Sequence, residues 1–266
     1  MILPASYSNG FAPRDGQPLY PELWRGCVFA AAPTLGPSGL TLRDWSGFAN
    51  HGTLTSVTAA SAWTPNQGRY SLSFAGASQY VDTGNSSAFD FATGDFSVCL
   101  WIRITTADSG IIGTLSSTPR GWGLYIWSTS PYINWFAYGS SSTNDSRKGT
   151  VNIVGDNRWH LVAANYSRVT GITTYLDGIN IGNASTLTGD LSSSQTLQLG
   201  RYPISTTFTG QIDDVRVYGR LLSDWEHRLL ASRRGIAYEL APRRRSSVQL
   251  AASFNRRRRL LVGAGS

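Results

Sequence analysis

The chain has 266 residues, of which 41% are hydrophobic and 12% aromatic, with 28 glycines, 9 tryptophans and 2 cysteines. This composition is rich enough in bulky apolar residues to build a core, so it excludes disordered, collagen-like and disulfide-scaffold proteins. The net charge of +7 is unevenly distributed. Residues 233–266 hold nine arginines and one glutamate, whereas the preceding 232 residues have a net charge of −1. The basic character therefore belongs to the C-terminal tail.

The sequence contains no segment typical of membrane insertion or export. No window holds the roughly 18 consecutive apolar residues that a spanning helix needs. The N-terminal residues have neither the basic head nor the apolar core of a signal peptide. We therefore expect synthesis without export, in a reducing compartment. There Cys27 and Cys99, each in an apolar segment, are expected as buried thiols, with a disulfide as the alternative.

The predicted elements follow a proline-rich N-terminal arm, residues 1–23, which has neither strand nor helix periodicity. From Trp24 to Tyr218 short β-branched and aromatic runs alternate with clusters of glycine, serine, asparagine and aspartate, a pattern typical of antiparallel strands. The clearest runs are residues 96–104, 121–127, 132–138, 158–167, 171–182 and 208–218. The first of them is apolar on both faces, which predicts a strand in the interior of a sheet.

Two local signals are more specific. Asp177 and Gly178 predict a two-residue hairpin turn, since both residues tolerate a positive φ. Ser223 and Glu226 have the spacing of a capping box, which predicts that a helix begins there. We expect Trp225 to help pack this helix on the sheets.

Six blocks of the sequence, in their order, resemble a known family. They are residues 42–54, 71–84, 96–104, 158–167, 173–182 and 208–226. Together they resemble the concanavalin A-like jelly-roll domains of the laminin G-like and pentraxin type, over residues 24–232. The resemblance implies an all-β fold, a two-sheet antiparallel jelly-roll sandwich with ligands bound at loops or on the concave face, to which the capping box adds one short C-terminal helix. The N-terminal arm 1–23 and the C-terminal arm 233–266 lie outside it.

The same fold carries glycoside hydrolases, whose retaining members need two carboxyl groups about 5–5.5 Å apart. All three glutamates of this chain lie outside the central predicted strands. Asp213 and Asp214 are adjacent, so on a regular strand they face opposite sides. No serine elbow or phosphate loop is present either. We therefore expect a non-enzymatic protein whose histidines are structural, namely His51, His160 and His227.

The resemblance also implies a structural calcium ion held between the first and last strands. Asp213 matches the aspartate that relatives use, and Asp44 or Asn50 would approach from an early turn with the hard oxygen ligands that calcium prefers. The alternative is that these side chains only make the hydrogen bonds of turns and caps. Both interpretations stay open at this point.

Aromatic residues crowd two predicted strands, 121–127 and 132–138. Their flat apolar rings suit sugar stacking, and side-chain alternation means that one set of rings must enter the core. The alternative for the other set is ordinary burial or a subunit interface. The predicted glycan-binding residues are Tyr125, Trp127, Trp135 and Tyr138.

Arginine clusters mark the C-terminal arm. A solvated tail is one interpretation of such runs. Nucleic-acid binding is a second, which the near-neutral body and the short clusters disfavour. Capture of carboxylates on neighbouring subunits is a third, because the planar guanidinium suits bidentate pairing and an arm without a core needs a partner to order it. The predicted partner-binding residues are Arg233, Arg234, Arg243, Arg244, Arg245, Arg256, Arg257, Arg258 and Arg259.

Together these features favour a structural protein of a large assembly. We expect a bacteriophage virion protein, either a capsid decoration (cement) protein or a tail protein, whose arms bind capsid or other virion subunits as part of a homo-oligomer. Its lectin-like domain would contact cell-surface glycans, since a particle assembled in the cytoplasm and released by lysis delivers it outside the cell. The alternative is a free carbohydrate-binding protein.

Overall fold

The computed structural model describes residues 17–66, 69–76, 78–107, 109–115, 120–127, 130–140, 144–183, 189–201 and 208–241. Within these residues the chain forms sixteen strands: β1 Cys27–Ala31, β2 Thr41–Leu42, β3 Gly52–Thr55, β4 Trp63–Asn66, β5 Arg69–Ala75, β6 Tyr80–Asp82, β7 Phe96–Ile104, β8 Ser109–Gly113, β9 Gly121–Trp127, β10 Ser130–Tyr138, β11 Asn144–Asn152, β12 His160–Ser167, β13 Gly171–Leu176, β14 Ile179–Asn183, β15 Gln198–Leu199 and β16 Thr209–Tyr218. The helices are α1 Ala59–Ala62 and α2 Asp224–Ser232, with 3₁₀ turns at Pro21–Trp24, Pro33–Leu35, Ser87–Phe89 and Ile236–Tyr238.

The strands form two eight-stranded sheets. Sheet I has the order β14-β13-β12-β7-β16-β5-β4, and β1 also pairs with β16. Sheet II has the order β11-β10-β9-β8-β15-β6-β3-β2. All the pairings are antiparallel. The predicted fold class, an all-β two-sheet antiparallel jelly-roll sandwich, is confirmed.

The strand β7 has the interior position that its two apolar faces predict. It pairs with β12 on one side and β16 on the other. Its even-numbered side chains, from Phe96 to Ile104, enter the core between the sheets. Its odd-numbered side chains Cys99 and Trp101 lie in a second apolar cluster, on the outer face of sheet I.

Three apolar clusters therefore define the layers of the molecule. The main core lies between the sheets and contains Phe29, Leu72, Trp122 and many others. The second cluster lies on the outer face of sheet I, where α2 and both terminal segments cover it. A small third cluster lies on the outer face of sheet II and is built around Tyr125 and Phe136.

The predicted hairpin and helix are both present. Asp177 and Gly178 join β13 to β14 with φ values of 50° and 78°. Ser223 caps α2, and Glu226 completes the capping box. The prediction for Trp225 is wrong, because its side chain is 55% exposed. The helix is attached to the sheet by residues on its other side, such as the buried His227.

The domain predicted from the sequence covers residues 24–232, between the two arms. The packed part of the chain extends further in both directions. Pro18 forms a β-bridge with Leu240. The backbone N–H of Leu19 donates to the carbonyl of Glu239 at 2.7 Å, and the N–H of Ala241 donates to the carbonyl of Gln17 at 2.7 Å. The first and last described residues therefore lie side by side.

Candidate functional site

The outer face of sheet II presents aromatic side chains from β9 and β10. Along β9, Trp122, Leu124 and Ile126 enter the main core, so the residues between them face outward. Tyr125 of β9 lies directly opposite Asn134 of β10 in the register. The strictly alternating pattern of two adjacent strands therefore produces one aromatic surface on the side away from sheet I.

We call this surface the aromatic strip and define it as Tyr125, Trp127, Phe136 and Tyr138. The ring centroids of Tyr125 and Trp127 are 4.2 Å apart, and those of Phe136 and Tyr138 are 5.6 Å apart. Gly123 makes room for the strip, since a Cβ at this position would come 2.6 Å from the Phe136 ring. Trp127 is 48% exposed, whereas Tyr125 and Phe136 are buried. Burial also raises the pKa of Tyr138, so this phenol remains a hydrogen-bond donor at neutral pH.

Trp135 does not belong to the candidate glycan surface that the sequence predicted. It is fully buried in the main core and makes an edge contact with Tyr166 at 6.2 Å. Strand alternation explains the correction, because Trp135 shares its face with Ile133 and Ala137, both of which are core residues. The same alternation brings Phe136, which the prediction left out, to the outer face.

Two of the residues predicted to hold calcium, Asp44 and Asn50, belong to one hydrogen-bonded turn. The Asp44 carboxylate accepts hydrogen bonds from the backbone N–H groups of Ala30, Ser46 and Asn50 and from the Ser46 hydroxyl, at 2.7–2.9 Å. The Asn50 side chain donates to the carbonyl of Val28. These contacts organise the turn between β2 and β3. No group of three histidine, cysteine, aspartate or glutamate side chains that could hold a metal ion occurs among the described residues.

Asp213 belongs to a different cluster. Its Oδ1 accepts from the N–H of Thr34 at 3.0 Å and from the N–H of Asp214 at 2.8 Å, and its Oδ2 lies 3.4 Å from Nη1 of Arg234. Desolvation and the neighbouring Asp214 carboxylate raise the pKa of Asp213 to about 7. Among the described residues, Asp213 shares no hydrogen-bond partner with Asp44 or with the Asn50 side chain.

The expectation that Asp213 and Asp214 face opposite sides is wrong. Asp214 has a φ of 41°, and the register of β16 against β7 shifts between Asp213 and Arg216. This bulge turns both carboxylates toward the same turn, where Asp214 accepts from the N–H of Gly235 at 2.9 Å and Asp213 faces Arg234. Both side chains are buried beneath that turn.

The structure adds one functional residue that the sequence analysis missed, the buried Arg216. Its Nε donates to Asp214 at 2.9 Å, and its Nη1 donates to the carbonyl of Leu23 at 3.4 Å. The guanidinium lies 4.7 Å from the Trp24 ring centroid and 4.6 Å from that of Tyr238. We call this group of five residues the Arg216 clamp, because it joins both terminal segments to β16. A charged side chain between two core residues, Val215 and Val217, was the available signal.

Two of the predicted partner-binding arginines lie in the described residues, and both contact their own domain. Arg233 pairs with Glu239. The guanidinium of Arg234 lies 4.1 Å from the Trp159 ring centroid and also reaches Asp213. The remaining predicted residues, Arg243–Arg245 and Arg256–Arg259, lie outside the described residues.

Each histidine has contacts within the protein. His160 lies between two carboxylates, with Nδ1 2.8 Å from Asp177 and Nε2 2.8 Å from Asp156. The hydrogen bond to Asp177 is the main cause that raises the pKa of His160. His227 is stacked on Tyr175 at 3.7 Å, and burial lowers its pKa to about 4.

The remaining histidine and the cysteines are also part of the packing. His51 Nδ1 accepts a hydrogen bond from the backbone N–H of Asp44 at 3.0 Å. Cys27 and Cys99 are buried free thiols on the outer face of sheet I. Burial raises the pKa of both thiols, that of Cys27 to about 12, so both remain protonated at neutral pH. None of the described helices has the length and apolar character to cross a membrane.

Several solved structures share this fold. The binding domain of Paraclostridial Mosquitocidal Protein 1 is 12% identical, with a TM-score of 0.63, over 79% of this chain and 52% of that one. The botulinum neurotoxin serotype G binding domain is 16% identical, with a TM-score of 0.59, over 77% and 50%. This chain therefore spans about half the length of the toxin domains that it matches.

A third structure is matched over nearly its whole length. Domain 4 of AbnA, a GH43 extracellular arabinanase from Geobacillus stearothermophilus in complex with arabinotriose, is 16% identical, with a TM-score of 0.58, over 77% of this chain and 98% of that one. At such identities, these likenesses establish the fold alone.

No curated protein matches the sequence. A family model, Laminin_G_3, described as the concanavalin A-like lectin/glucanases superfamily, matches residues 75–226. The matched segment runs from the end of β5 into α2 and covers more than half of the chain. The chain therefore belongs to the concanavalin A-like lectin/glucanases superfamily.

Proposed function

We propose that this protein is a non-enzymatic, lectin-like binding domain that holds a carbohydrate on the aromatic strip of sheet II. The exposed indole of Trp127, braced by Tyr125 at 4.2 Å, is the observation that carries the proposal. A braced ring loses little conformational entropy when a sugar stacks on it, and its flat face matches the apolar face of a pyranose or furanose ring. Tyr138 and Asn134, on the neighbouring strand, would supply hydrogen bonds to hydroxyl groups.

The names of structurally similar domains agree with this proposal. The neurotoxin and mosquitocidal neighbours are described as binding domains, and the AbnA domain is described in complex with arabinotriose. From the toxin domains we carry over only the general role of binding, and from the AbnA domain only that the bound ligand is a carbohydrate.

The test compares two tryptophan variants. A glycan array that includes arabinotriose identifies the ligand of the full chain, and calorimetry then measures its affinity for Trp127→Ala and for Trp225→Ala. Trp225 is a matched control because it is 55% exposed but lies on the opposite side of the molecule, on α2. Losing the stacked indole face should cost about 1–2 kcal/mol, a loss of roughly tenfold in affinity.

We expect the affinity of Trp127→Ala for the ligand to fall by at least that factor and Trp225→Ala to bind like the parent protein. A blank array in the presence and absence of calcium would contradict the proposal. Equal affinity of the Trp127→Ala variant and the parent protein would contradict the placement of the site on the aromatic strip.

We also propose that the domain is displayed on a larger assembly, a bacteriophage capsid or tail, by its terminal segments. The supporting observation is that the first and last described residues, Gln17 and Ala241, are hydrogen-bonded to each other on the sheet I side. The aromatic strip lies on the outer face of sheet II, so one attachment point leaves that face free. Arginines beyond Ala241 would pair with carboxylates of neighbouring subunits.

Deletion of residues 242–266 tests the assembly role separately. It leaves the described domain complete, so we expect unchanged glycan affinity and loss of incorporation into particles. Incorporation of the truncated chain at the parent level would contradict the assembly role and favour a free carbohydrate-binding protein.

A further inference from the structure

A polar groove crosses the outer face of sheet I beyond the area that α2 and the termini cover. Ser73 of β5, Gln211 of β16 and Arg103 of β7 lie side by side, since Gln211 is in register with Ser73 on one side and with Arg103 on the other. The groove has a volume of about 260 Å³ and is also lined by Thr105 and Thr209. Pockets for drug-sized ligands typically have volumes of about 300–1,000 Å³. The groove is slightly smaller than that, and its size suits a single sugar ring.

Within the described part of the chain the Thr105 hydroxyl donates to the carbonyl of Thr209, but the side chains of Arg103 and Gln211 keep unused hydrogen-bonding groups. The guanidinium of Arg103 donates to the side chain of Asn157 and forms no ion pair with a described carboxylate. The amide of Gln211 makes no hydrogen bond to a described residue, although its Oε1 is buried. Nearly all buried polar groups in proteins are hydrogen-bonded, so an amide oxygen without a described partner, beside a guanidinium without an ion pair, is a candidate position for a polar ligand.

The arrangement of charge selects the class of ligand. We propose that the groove binds an acidic saccharide, with the carboxylate of one uronic acid ring on Arg103 and its hydroxyl groups on Gln211 and Ser73. Neighbouring strands lie about 4.7–4.9 Å apart, so the three side chains offer donors and acceptors across a distance comparable to that ring. The planar guanidinium fork suits a carboxylate, and amide and hydroxyl groups suit sugar hydroxyls.

Other anions fit less well. Nucleic acid or polyphosphate binding depends on several cations that neutralise successive phosphates. Arg103 is the one basic residue that lines the groove within the described residues. The proposal is independent of the aromatic strip, which lies on the other sheet, so the two sites can be tested separately.

The experiment uses the full chain and a matched pair of probes. Calorimetry compares trigalacturonate with its methyl ester, which has the same skeleton without the charges. Hydrogen bonds to a charged group contribute about 1.5–3 kcal/mol, which corresponds to roughly 10- to 100-fold in affinity. We therefore expect the ester to bind the parent protein at least about tenfold more weakly than trigalacturonate.

Three substitutions locate the binding. Arg103→Gln should weaken trigalacturonate binding at least about tenfold, and Gln211→Ala should weaken it several-fold. Arg158→Gln is the control, because Arg158 is an exposed arginine outside the groove, and it should have no effect. Thermal unfolding of each variant checks that the fold is retained, and Trp127→Ala should bind trigalacturonate like the parent.

The proposal is overturned if the ester binds as tightly as the acid or if Arg103→Gln binds like the parent. It is also overturned if triglutamate peptide or inorganic phosphate displaces trigalacturonate at equal concentration, since the groove would then recognise a peptide or a simple anion. Absence of trigalacturonate binding at millimolar concentration would also overturn the proposal. If instead Trp127→Ala abolishes trigalacturonate binding, the acidic sugar binds on the aromatic strip and the groove is not its site.

Discussion

Removal of the charge from the Arg216 clamp tests how the terminal segments are held. Arg216 is fully buried, and Arg216→Met retains much of its volume while removing the guanidinium. The Asp214 carboxylate, which is 2% exposed, would then lose its cation and keep only the N–H of Gly235 as a hydrogen-bond donor among the described residues. Removing one partner of a buried ion pair costs about 3–5 kcal/mol, because the other charge is left uncompensated. We expect a loss of that size in the free energy of unfolding.

The double variant Arg216→Met, Asp214→Asn separates charge from packing. With both charges gone, position 214 no longer carries an unpaired carboxylate, and such replacements are often close to neutral. We therefore expect the double variant to recover most of the loss and to lie within about 2 kcal/mol of the parent protein. Arg158→Met, at an exposed position, should change stability by less than about 0.5 kcal/mol.

Urea unfolding followed by tryptophan fluorescence measures these free energies. Limited trypsin digestion is a second readout, because Arg216→Met should expose the bond after Arg25, beside the segment that the clamp holds. A loss below about 1 kcal/mol in the single variant would refute the reasoning. A double variant no more stable than the single one would also refute it, since packing rather than charge would then explain the loss.

Two histidines should give opposite dependences of stability on pH. The pKa of His160 is raised above its unfolded value, so its contribution to folding stability is fully present below about pH 6.5 and is lost as the pH rises through the folded pKa. The urea midpoints at pH 6 and pH 8 should therefore differ less in His160→Gln than in the parent. The pKa of His227 is lowered to about 4, so its contribution is present above about pH 6.5 and is lost as the pH falls toward 4. His227→Phe, which keeps a ring against Tyr175, should unfold less readily than the parent in acid relative to neutral pH, and parallel acid-unfolding curves for the two proteins would contradict this assignment.

Local patterns in the sequence were sufficient for the elements that depend on neighbours in the chain. The interior position of β7 follows from nine residues with two apolar faces, and the hairpin at Asp177 follows from a pair of residues that accept a positive φ. The capping box of α2 likewise needs only Ser223 and Glu226. The same alternation, applied to β10, would have excluded Trp135 from the surface, because Ile133 and Ala137 share its face.

Contacts between distant parts of the chain could not be predicted in this way. Arg216 and Leu23 are 193 residues apart, and no local signal specifies that the two ends of the domain meet beside β16. The bulge at Asp214 is a second example, since a single residue with positive φ turns two adjacent carboxylates to the same side. Aspartate tolerates this backbone conformation, but tolerance alone does not predict it.

The aromatic strip and the terminal segments lie on opposite outer faces of the molecule, and this placement affects how tightly the proposed assembly would bind glycans. The aromatic strip offers one exposed indole on an open sheet, and a contact of that size gives weak affinity at a single site. Gln17 and Ala241, the first and last described residues, lie side by side on the opposite side of the molecule, so in the proposed assembly copies attached through that side would present their strips in the same direction. Sites linked in that way bind a glycan-covered surface far more tightly than one site does, without any new contact. In the proposed assembly, attachment of many copies through one face would therefore compensate for the weak glycan binding of each copy on the opposite face.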